Sequence, residues 1–580
     1  MDALMDAQEN DAYLSTLNEL KPTRQFEFAD PKLIKGFAID SKDINDWEFL
    51  MKSCIGCYLF GRFARQAGPN CSAKWMWLED FFKLQKCRSW VAAKAAASTL
   101  LDSYLDDNAF APPPKDSSLD NIYFELGPVD ESDIAIVGSG INPVQVGGGF
   151  PEKAEESIQN AKKLGKVDME PFTRIAKALN AFLHNNFFGD FKKSKYFTKF
   201  VKLEHWYSQH TFTEDDFEIF RVLGRGGFGL VNGCRCMRTG KVYAMKTMDK
   251  RRVKMNRGEE MCKFEKELLQ LCKSDFVLDL KYSFFNDFEL FIIMDVKAGG
   301  DLNFLIQQQK CFTKEMTQYF LARTCEGLQD IHNAGWIYRD LKPENLLLGD
   351  DGTCWISDLG LACPWKEGMA GIAGTPGYWC PEMLRKEPYD KGVDFWTLGV
   401  VLVEFLTGTC PFRNKAALEF GKSKGEKDKL LCCNMAVLEM EVEYDTEKMS
   451  EDAIDLAKKL LTKDPKERLG KNGIGDIKGH KYFEGFDWDA VTDGSMVPPF
   501  VPEQEVNAAD QDSIGKFKNE SEVKEIKLSD KDHSKYKNFP SSNKKAFEID
   551  VTGLLIWEKS KGRPLTATVT RERSQTCSLM

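Results

Sequence analysis

A glycine-rich segment and a lysine downstream of it could together hold a chain of phosphate groups. The glycines of the segment 224–231 lack side chains, so backbone N–H groups there can approach phosphates closely. Strands are predicted on either side of this turn, over 218–223 and 230–236, which favours a hairpin above a nucleotide. A dinucleotide-binding turn would instead be followed by a helix. Lys246 then supplies an ammonium group suited to the α- and β-phosphates.

Lys246 requires a buried anionic partner that orients its long side chain. Glu265 is the predicted partner, because Phe264, Leu268 and Leu271 place an apolar helix face beside it. A solvated helix charge is the alternative interpretation of Glu265. The rival carboxylates nearby are Glu259, Glu260 and Glu267.

A second group of polar residues could perform the transfer itself. Asp340 is predicted to accept the proton of a substrate hydroxyl, and Lys342, two residues on, to reach the transferring phosphate. Asn345 and Asp358 carry the oxygen ligands that magnesium prefers. Thr375 is predicted to contact Asp340. The alternative is that Asp340 and Asp358 merely cap turns.

The order of these elements decides between the two interpretations. Residues 224–231, 243–246, 338–345, 358–360 and 380–382 follow one another with the motifs and gaps of a protein kinase. Lys342 and Thr375 are typical of serine/threonine kinases. The predicted cofactors are ATP and Mg²⁺. The predicted ATP-binding residues are Leu223, Gly224, Arg225, Gly226, Gly227, Phe228, Gly229, Leu230, Val231, Lys246, Glu265, Met294, Asp295, Val296 and Asp301.

Composition agrees with a large protein built of several packed domains. The chain has 580 residues, 42% of them hydrophobic, and a net charge of −10, which argues against nucleic-acid binding as the main activity. Its 17 cysteines show no metal-ligand spacing, so reduced thiols are expected. No signal sequence or membrane-spanning run is found, and 395–406 is predicted to be a buried kinase helix.

Apolar periodicity and loop composition divide the chain. The predicted fold is α+β: a bilobal kinase joined to an all-α domain. The predicted divisions are an N-terminal segment 1–44, a helical domain 45–205 with a loop-rich insert 106–165, a kinase domain 217–483, a C-terminal extension 484–545 and a basic tail 546–580.

The helical part and the extension narrow the family. The segment 55–63 (Ile-Gly-Cys-Tyr-Leu-Phe-Gly-Arg-Phe) resembles a helix of the regulator-of-G-protein-signalling homology domain in G protein-coupled receptor kinases. Residues 78–80, 181–183 and 199–204 look like later helices of that domain. The Asp-Leu-Gly at 358–360 and Pro-Pro-Phe-Val-Pro at 498–502 also fit this family. Cys380 departs from the usual Ala, and the tail after Pro502 lacks the tyrosine expected there.

The C-terminal residues 577–580 (Cys-Ser-Leu-Met) form a prenylation motif that predicts farnesyl on Cys577. An ordinary cysteine near a frayed terminus is the alternative. One lipid chain anchors a protein only marginally, so basic residues of the tail would add attraction to an anionic membrane surface. These are Lys559, Lys561, Arg563, Arg571 and Arg573. The resemblance is therefore greatest to the prenylated opsin kinases. We expect a cytoplasmic enzyme attached peripherally to a membrane.

The resemblance implies that activated G protein-coupled receptors, opsins among them, are both substrates and activators, and that phosphorylation desensitises them. Two alternatives stay open: a protein whose helical domain captures a G protein α subunit, with secondary kinase activity, and a kinase of the related basophilic group with soluble substrates. No Ser, Thr or Tyr occurs in 361–374, so activation-loop phosphorylation is not expected to switch the enzyme on. The segment around Tyr13, Leu14 and Leu17 is expected to dock on the receptor instead.

Overall fold

The computed structural model describes residues 20, 22–85, 90–105, 150–164, 166–502, 520–563 and 565. These residues form two compact units. One unit comprises 212–235 and 242–542, and the other comprises 20–211, 236–241 and 543–580, in each case as far as the chain is described. No helix among the described residues is long and apolar enough to cross a membrane.

The second unit is all helical. Its helices before residue 210 are, among the described residues, α1 (Pro31–Asp40), α2 (Trp47–Lys52), α3 (Cys54–Ala64), α4 (Pro69–Gln85), α5 (Trp90–Leu105), α6 (Phe150–Leu164), α7 (Glu170–Lys192) and α8 (Lys195–Gln209). Polar residues start them: the Ser53 hydroxyl accepts a hydrogen bond from the Gly56 amide at 3.2 Å. Buried aromatic rings form the core, as where Phe60 meets Trp75 at 5.0 Å between centroids.

Helix α6 corrects the sequence interpretation, because part of the segment predicted to be a loop-rich insert is helical. Residues 106–149 of that insert lie outside the described residues. The remaining part, Phe150–Leu164, alternates charged residues with alanines that are fully buried, Ala154 and Ala161. Its apolar residues Phe150, Ala154, Ile158 and Ala161 recur at helical spacing, so the segment does carry a helical signal, which the glycines and prolines of the preceding stretch outweighed.

The first unit contains a small lobe built on one antiparallel sheet. Its strands are β1 (Phe217–Arg225), β2 (Gly229–Cys236), β3 (Val242–Asp249), β4 (Tyr282–Phe285), β5 (Glu289–Asp295) and a short β10 (Ser541–Ser542), in the order β1-β2-β3-β5-β4-β10. Helices α9 (Lys250–Met255) and α10 (Glu259–Leu271) follow β3. Register places Val231 of β2 opposite Lys246 of β3, so the glycine turn and the lysine share one sheet.

The large lobe is mainly helical. It begins with α11 (Leu302–Gln309) and α12 (Lys314–Asn333) and continues through the short strands β6 (Trp336–Ile337), β7 (Leu346–Leu348), β8 (Cys354–Ile356) and β9 (Cys363–Pro364). Then follow α13 (Pro381–Leu384), α14 (Gly392–Thr407), α15 (Lys415–Ser423), α16 (Lys429–Glu439), α17 (Glu451–Leu460), α18 (Gly475–Lys478) and α19 (Trp488–Thr492). Helix α14 is buried over nearly its whole length, as predicted for 395–406.

The C-terminal extension returns to the small lobe. It carries α20 (Glu520–Glu525) and α21 (Asp530–Ser534), and β10 then pairs with β4. The Ser283 hydroxyl donates to the Phe539 carbonyl at 2.7 Å. Lys535 bonds Glu259 at the start of α10 at 2.8 Å. These contacts of the extension therefore stabilise the position of helix α10, which carries Glu265.

The last helix, α22 (Lys544–Ser560), belongs to the helical unit. The Tyr58 hydroxyl donates to the Leu555 carbonyl at 3.2 Å, and the Cys54 amide donates to Glu548 at 3.0 Å. Residues 546–560 of what the sequence indicated as a basic tail are thus part of a packed helix. Cys577, Arg571 and Arg573 lie outside the described residues, as do Tyr13, Leu14 and Leu17.

Candidate active site

The predicted nucleotide residues from Leu223 to Val231 span the end of β1, the glycine turn and the start of β2. The Gly226 amide donates to the Gly229 carbonyl at 2.8 Å, which closes the turn. A Cβ at Gly229 would lie 1.7 Å from the Thr247 carbonyl oxygen of β3. A Cβ at Gly224 or Gly227 would meet nothing within 4 Å. Glycine at 229 is therefore required by the sheet, whereas Gly224 and Gly227 border open space.

Lys246 contacts two carboxylates, of which Glu265 is buried with it and Asp358 is partly exposed. Its Nζ lies 2.5 Å from Glu265 Oε1 and 2.9 Å from Asp358 Oδ1. The structure thus places Glu265, rather than its neighbours on α10, beside the lysine. Burial alone would lower the pKa of Lys246, but the charges of Asp358 and Glu265 outweigh it and raise that pKa. Lys246 in turn lowers the pKa of Asp358.

Asp358 adopts a left-handed backbone, with φ 47° and ψ 71°. A residue with a Cβ pays about 1–2 kcal/mol for this conformation, so the surrounding contacts must hold it. The Lys246 contact supplies one such restraint. Strained backbone of this kind clusters at functional sites.

Asp340 lies at the centre of a second hydrogen-bonded cluster and is 5% exposed. The Thr375 hydroxyl donates to its Oδ1 at 2.7 Å. Asn345 Nδ2 and Lys342 Nζ each donate to its Oδ2 at 3.0 Å. Lys342 also donates to Thr375 at 2.8 Å. The structure therefore brings together all the residues that the sequence predicts for proton acceptance and phosphate contact, and it orients the carboxylate through both of its oxygens.

Ser357, which precedes Asp358 in the chain, links the Asp358 segment to Asn345 by hydrogen bonds. The Ser357 amide and hydroxyl donate to the Asn345 carbonyl at 2.9 and 3.0 Å. The Asp358 side chain is 48% exposed, and its Oδ1 is the atom that contacts Lys246. An amide oxygen and a carboxylate oxygen on adjacent backbone suit Mg²⁺, which binds through one or two protein oxygens together with substrate phosphates. The residues present fit a magnesium–nucleotide complex.

Comparison with known proteins agrees with this geometry. Residues 217–483 match the protein kinase domain family. The chain carries a protein kinase domain. The matched range is the one delimited by the sequence motifs, and the kinase is of the serine/threonine type.

The chain is also similar to proteins that are named as receptor kinases. It is 38% identical over 398 residues to a protein named G protein-coupled receptor kinase 2 from Caenorhabditis elegans, covering 67% of this chain and 55% of that protein. It is 36% identical over 412 residues to human beta-adrenergic receptor kinase 1, covering 69% of this chain and 58% of that protein. The chain therefore spans little more than half the length of these relatives.

The catalytic loop of the kinase is held by a buried aspartate. Asp394 of α14 accepts hydrogen bonds from the backbone amides of Tyr338 and Arg339 at 3.0 and 2.7 Å. It also lies 2.7 Å from His332 Nε2. The Tyr338 hydroxyl donates to the Ser357 carbonyl at 2.7 Å, which links the loop carrying Asp340 to the one carrying Asp358.

Arg339 uses its side chain within the kinase domain. Its Nε donates to the Leu361 carbonyl at 2.9 Å and its Nη1 to the Tyr389 hydroxyl at 3.2 Å. In kinases that are switched on by phosphorylation, the arginine at this place pairs with a phosphorylated loop residue. Here protein groups satisfy it, which agrees with a loop that has no hydroxyl to modify between 361 and 374.

The strand-end residues predicted to line the adenine site lie together at the end of β5. Met294 is buried, and Asp295 pairs with Lys281 at 3.0 Å. Val296 follows directly. Asp301, also predicted for ATP, caps α11: its Oδ1 accepts the Phe304 amide at 2.8 Å. Burial raises the pKa of Asp301, against the effect of the Phe304 amide.

Two contacts of the kinase core escaped sequence reasoning, because each joins residues far apart in the chain. The Tyr378 hydroxyl donates to Glu404 of α14 at 2.5 Å and so anchors the loop after Thr375. Glu382 forms a two-pronged pair with Arg468, at 2.6 and 2.9 Å. Of these four residues, only Glu382 is indicated by a local motif, the Cys-Pro-Glu at 380–382. That motif does not predict its partner Arg468.

Proposed function

We propose that this protein transfers the γ-phosphoryl group of ATP to serine and threonine hydroxyls of activated G protein-coupled receptors and thereby desensitises them. The observation that carries the proposal is the cluster around Asp340, which is assembled without any phosphorylated residue. The names of the similar proteins, receptor kinases of worm and human, support the substrate class. None of these names refers to an opsin, so opsins are one receptor to test rather than the proposed substrate.

In this proposal each residue of the site has a task that its contacts support. Asp340 accepts the hydroxyl proton, and its hydrogen bonds from Thr375 and Asn345 aim the carboxylate at the incoming oxygen. Lys342 stands beside it with a charge for the transferring group. Lys246, fixed by Glu265, holds the α- and β-phosphates. Magnesium, held by Asn345 and Asp358, supplies the positive charge that offsets the phosphates when it is bound.

The decisive experiment measures phosphate incorporation into an agonist-activated β-adrenergic receptor in vesicles and into a soluble acidic or basic peptide. We expect the receptor to be the better substrate and Asp340→Asn to abolish transfer to both while ATP binding persists. Asp350→Asn, an exposed carboxylate nearby, is the matched control. Equal rates on inactive receptor, active receptor and peptide would favour a kinase with soluble substrates and refute the receptor proposal.

The other candidate function is binding of a G protein α subunit by the helical unit. This candidate is supported only by the resemblance of the helical unit to a regulator-of-G-protein-signalling homology domain. Pull-down of nucleotide-loaded α subunits with the full chain tests it. Capture by the Asp340→Asn variant, together with absent receptor phosphorylation by the wild-type protein, would make binding the main function.

We further propose that the N-terminal segment docks on the receptor and that farnesyl on Cys577 attaches the protein to membranes. Both rest on the sequence. Deletion of residues 1–19 should depress receptor phosphorylation far more than peptide phosphorylation. Cys577→Ser should move the protein to the soluble fraction of prenylating cells and remove the farnesyl mass from its C-terminal peptide. An unchanged mass and partition would refute the lipid anchor.

A further inference from the structure

A cavity of about 290 Å³ lies within the helical unit, away from the residues of the kinase site. Three parts of that unit form it: the segment 22–28, helix α8 and helix α22, with Arg238 of the turn 236–241 at its edge. The segment 22–28 is held in place by backbone bonds, because the Thr23 and Arg24 amides donate to the Met237 carbonyl at 2.7 and 2.9 Å. Backbone hydrogen bonds therefore fix the position of the segment 22–28, which forms one wall of the cavity.

One part of the lining is apolar. Ring and branched aliphatic side chains come from all three elements, namely Phe26, Phe28, Leu203, Val551 and Leu555. The Phe26 ring packs edge-on against Trp206 at 4.8 Å between centroids. A wall of this kind accepts a hydrocarbon chain and orders no water.

The other part of the lining is strongly basic. Among the residues that the structure describes, the cavity is bordered by one carboxylate, Glu558, and by the cations Arg24, Lys195, Lys199, Lys202 and Arg238. Lys199 and Lys202 of α8 lie on either side of one ring, with their Nζ atoms 5.1 and 5.5 Å from the Phe28 centroid. No described carboxylate lies within ion-pair distance of either ammonium group.

Burial of Lys199 adds to this imbalance. Burial lowers the pKa of Lys199, and the neighbouring charge of Lys202 lowers it further, against the effect of Glu558. Burial also raises the pKa of Glu558, against the effect of the neighbouring positive charges. An anion placed beside Lys199 and Lys202 would bring these two ammonium groups a negative charge that no described carboxylate supplies at ion-pair distance.

We propose that this cavity binds a single-chain anionic amphiphile, with its carboxylate or phosphate against Lys199 and Lys202 and its chain against Phe26 and Leu555. The cavity volume favours a ligand with one hydrocarbon chain, because it is close to the lower limit of the roughly 300–1,000 Å³ of small-molecule sites. A two-chain membrane lipid does not fit such a volume. The inference is independent of which substrate the kinase phosphorylates.

The test is calorimetric titration of the full chain with decanoate and with decyl phosphate, each below its micelle concentration, beside 1-decanol and inorganic phosphate. We expect both amphiphiles to bind at least about tenfold more tightly than decanol, which lacks the anionic group, and than inorganic phosphate, which lacks the hydrocarbon chain. Lys199→Ala with Lys202→Ala should weaken decanoate binding by a further tenfold or more. Lys177→Ala on α7, which does not border the cavity, is the matched control.

Thr198→Glu provides a variant with little risk to folding, because Thr198 is exposed at the rim and the new carboxylate would repel the anion. It should lose decanoate binding while peptide phosphorylation and the unfolding temperature stay at the wild-type level. Unchanged decanoate affinity in both sets of variants would overturn the proposal. So would equal binding of decanol, or equal binding of inorganic phosphate. If the variants altered adsorption to anionic vesicles but not decanoate binding, the surface would be a membrane contact and the proposal would be wrong.

Discussion

Replacing Glu382 by Gln should destabilise the kinase domain strongly, although Glu382 has no direct contact with the residues proposed to transfer phosphate. Glu382 and Arg468 are each only 1% exposed, and two hydrogen bonds of 2.6 and 2.9 Å join them. The substitution leaves the Arg468 guanidinium buried without its counter-charge. Breaking such a pair costs about 3–5 kcal/mol.

The remaining partners of Arg468 place the expected loss at the lower end of that range. Its Nε donates to the Thr462 carbonyl at 3.0 Å, and its Nη1 to the Gly392 carbonyl at 3.1 Å. These carbonyls stay in place and continue to stabilise part of the guanidinium charge. We therefore expect the free energy of unfolding to fall by about 3 kcal/mol. For a domain of this size that lowers the unfolding temperature by roughly 6–12 °C.

Thermal unfolding gives the overall shift, and hydrogen exchange of peptides from α14 locates it in the large lobe. The matched control is Glu387→Gln, because Glu387 pairs with Arg385 at 4.0 Å with both side chains 41–52% exposed. Such a pair contributes about 0–1 kcal/mol. The double variant with Arg468→Met should recover part of the loss, since it removes the uncompensated charge. Equal shifts for Glu382→Gln and Glu387→Gln would refute the reasoning.

Three further predictions concern the site and its pH dependence. Gly229→Ala should raise the KM for ATP about tenfold or more, because its Cβ would collide with the Thr247 carbonyl, whereas Gly224→Ala, facing open space, should change it far less; equal effects in ATP kinetics would contradict this. Lys246→Met should nearly abolish transfer and Glu265→Gln should raise the KM for ATP, as measured by steady-state kinetics; wild-type kinetics in both would mean that another lysine holds the phosphates. Burial raises the pKa of Glu404 from 4.5 to about 7. The folded state therefore holds this proton more tightly than the unfolded state, and the resulting contribution to the free energy of unfolding is complete below about pH 4.5. It is lost as the pH rises towards 7, by about 3 kcal/mol in all. Glu404→Gln should flatten that part of the pH–stability profile, and an unchanged profile would contradict the assignment.

Local motifs were sufficient to predict the catalytic chemistry. The chemistry needs particular residue types at short separations, as with Asp340, Lys342 and Asn345, and one turn of backbone brings them together. The two strands around the glycine turn and the buried helix after Asp394 were also predictable, because hydrophobic pattern and turn residues act over a few positions. The expected likeness to the opsin branch of the family rested on a short C-terminal motif, and the similar proteins, which include beta-adrenergic receptor kinase 1, do not support it.

Contacts between distant parts of the chain were decided by tertiary structure alone. Sequence could rank Glu265 above its neighbours on α10 but could not exclude them; packing of that helix against β3 places its carboxylate 2.5 Å from Lys246. The partners of Glu382 and Tyr378, and the inclusion of residues 544–560 in the helical unit, depend likewise on how separate elements pack. The chain by itself determined which chemistry is possible, because that depends on residue type. Only the folded structure decided which charges meet, because a buried charge is stabilised by the groups that packing brings to it, wherever they lie in the sequence.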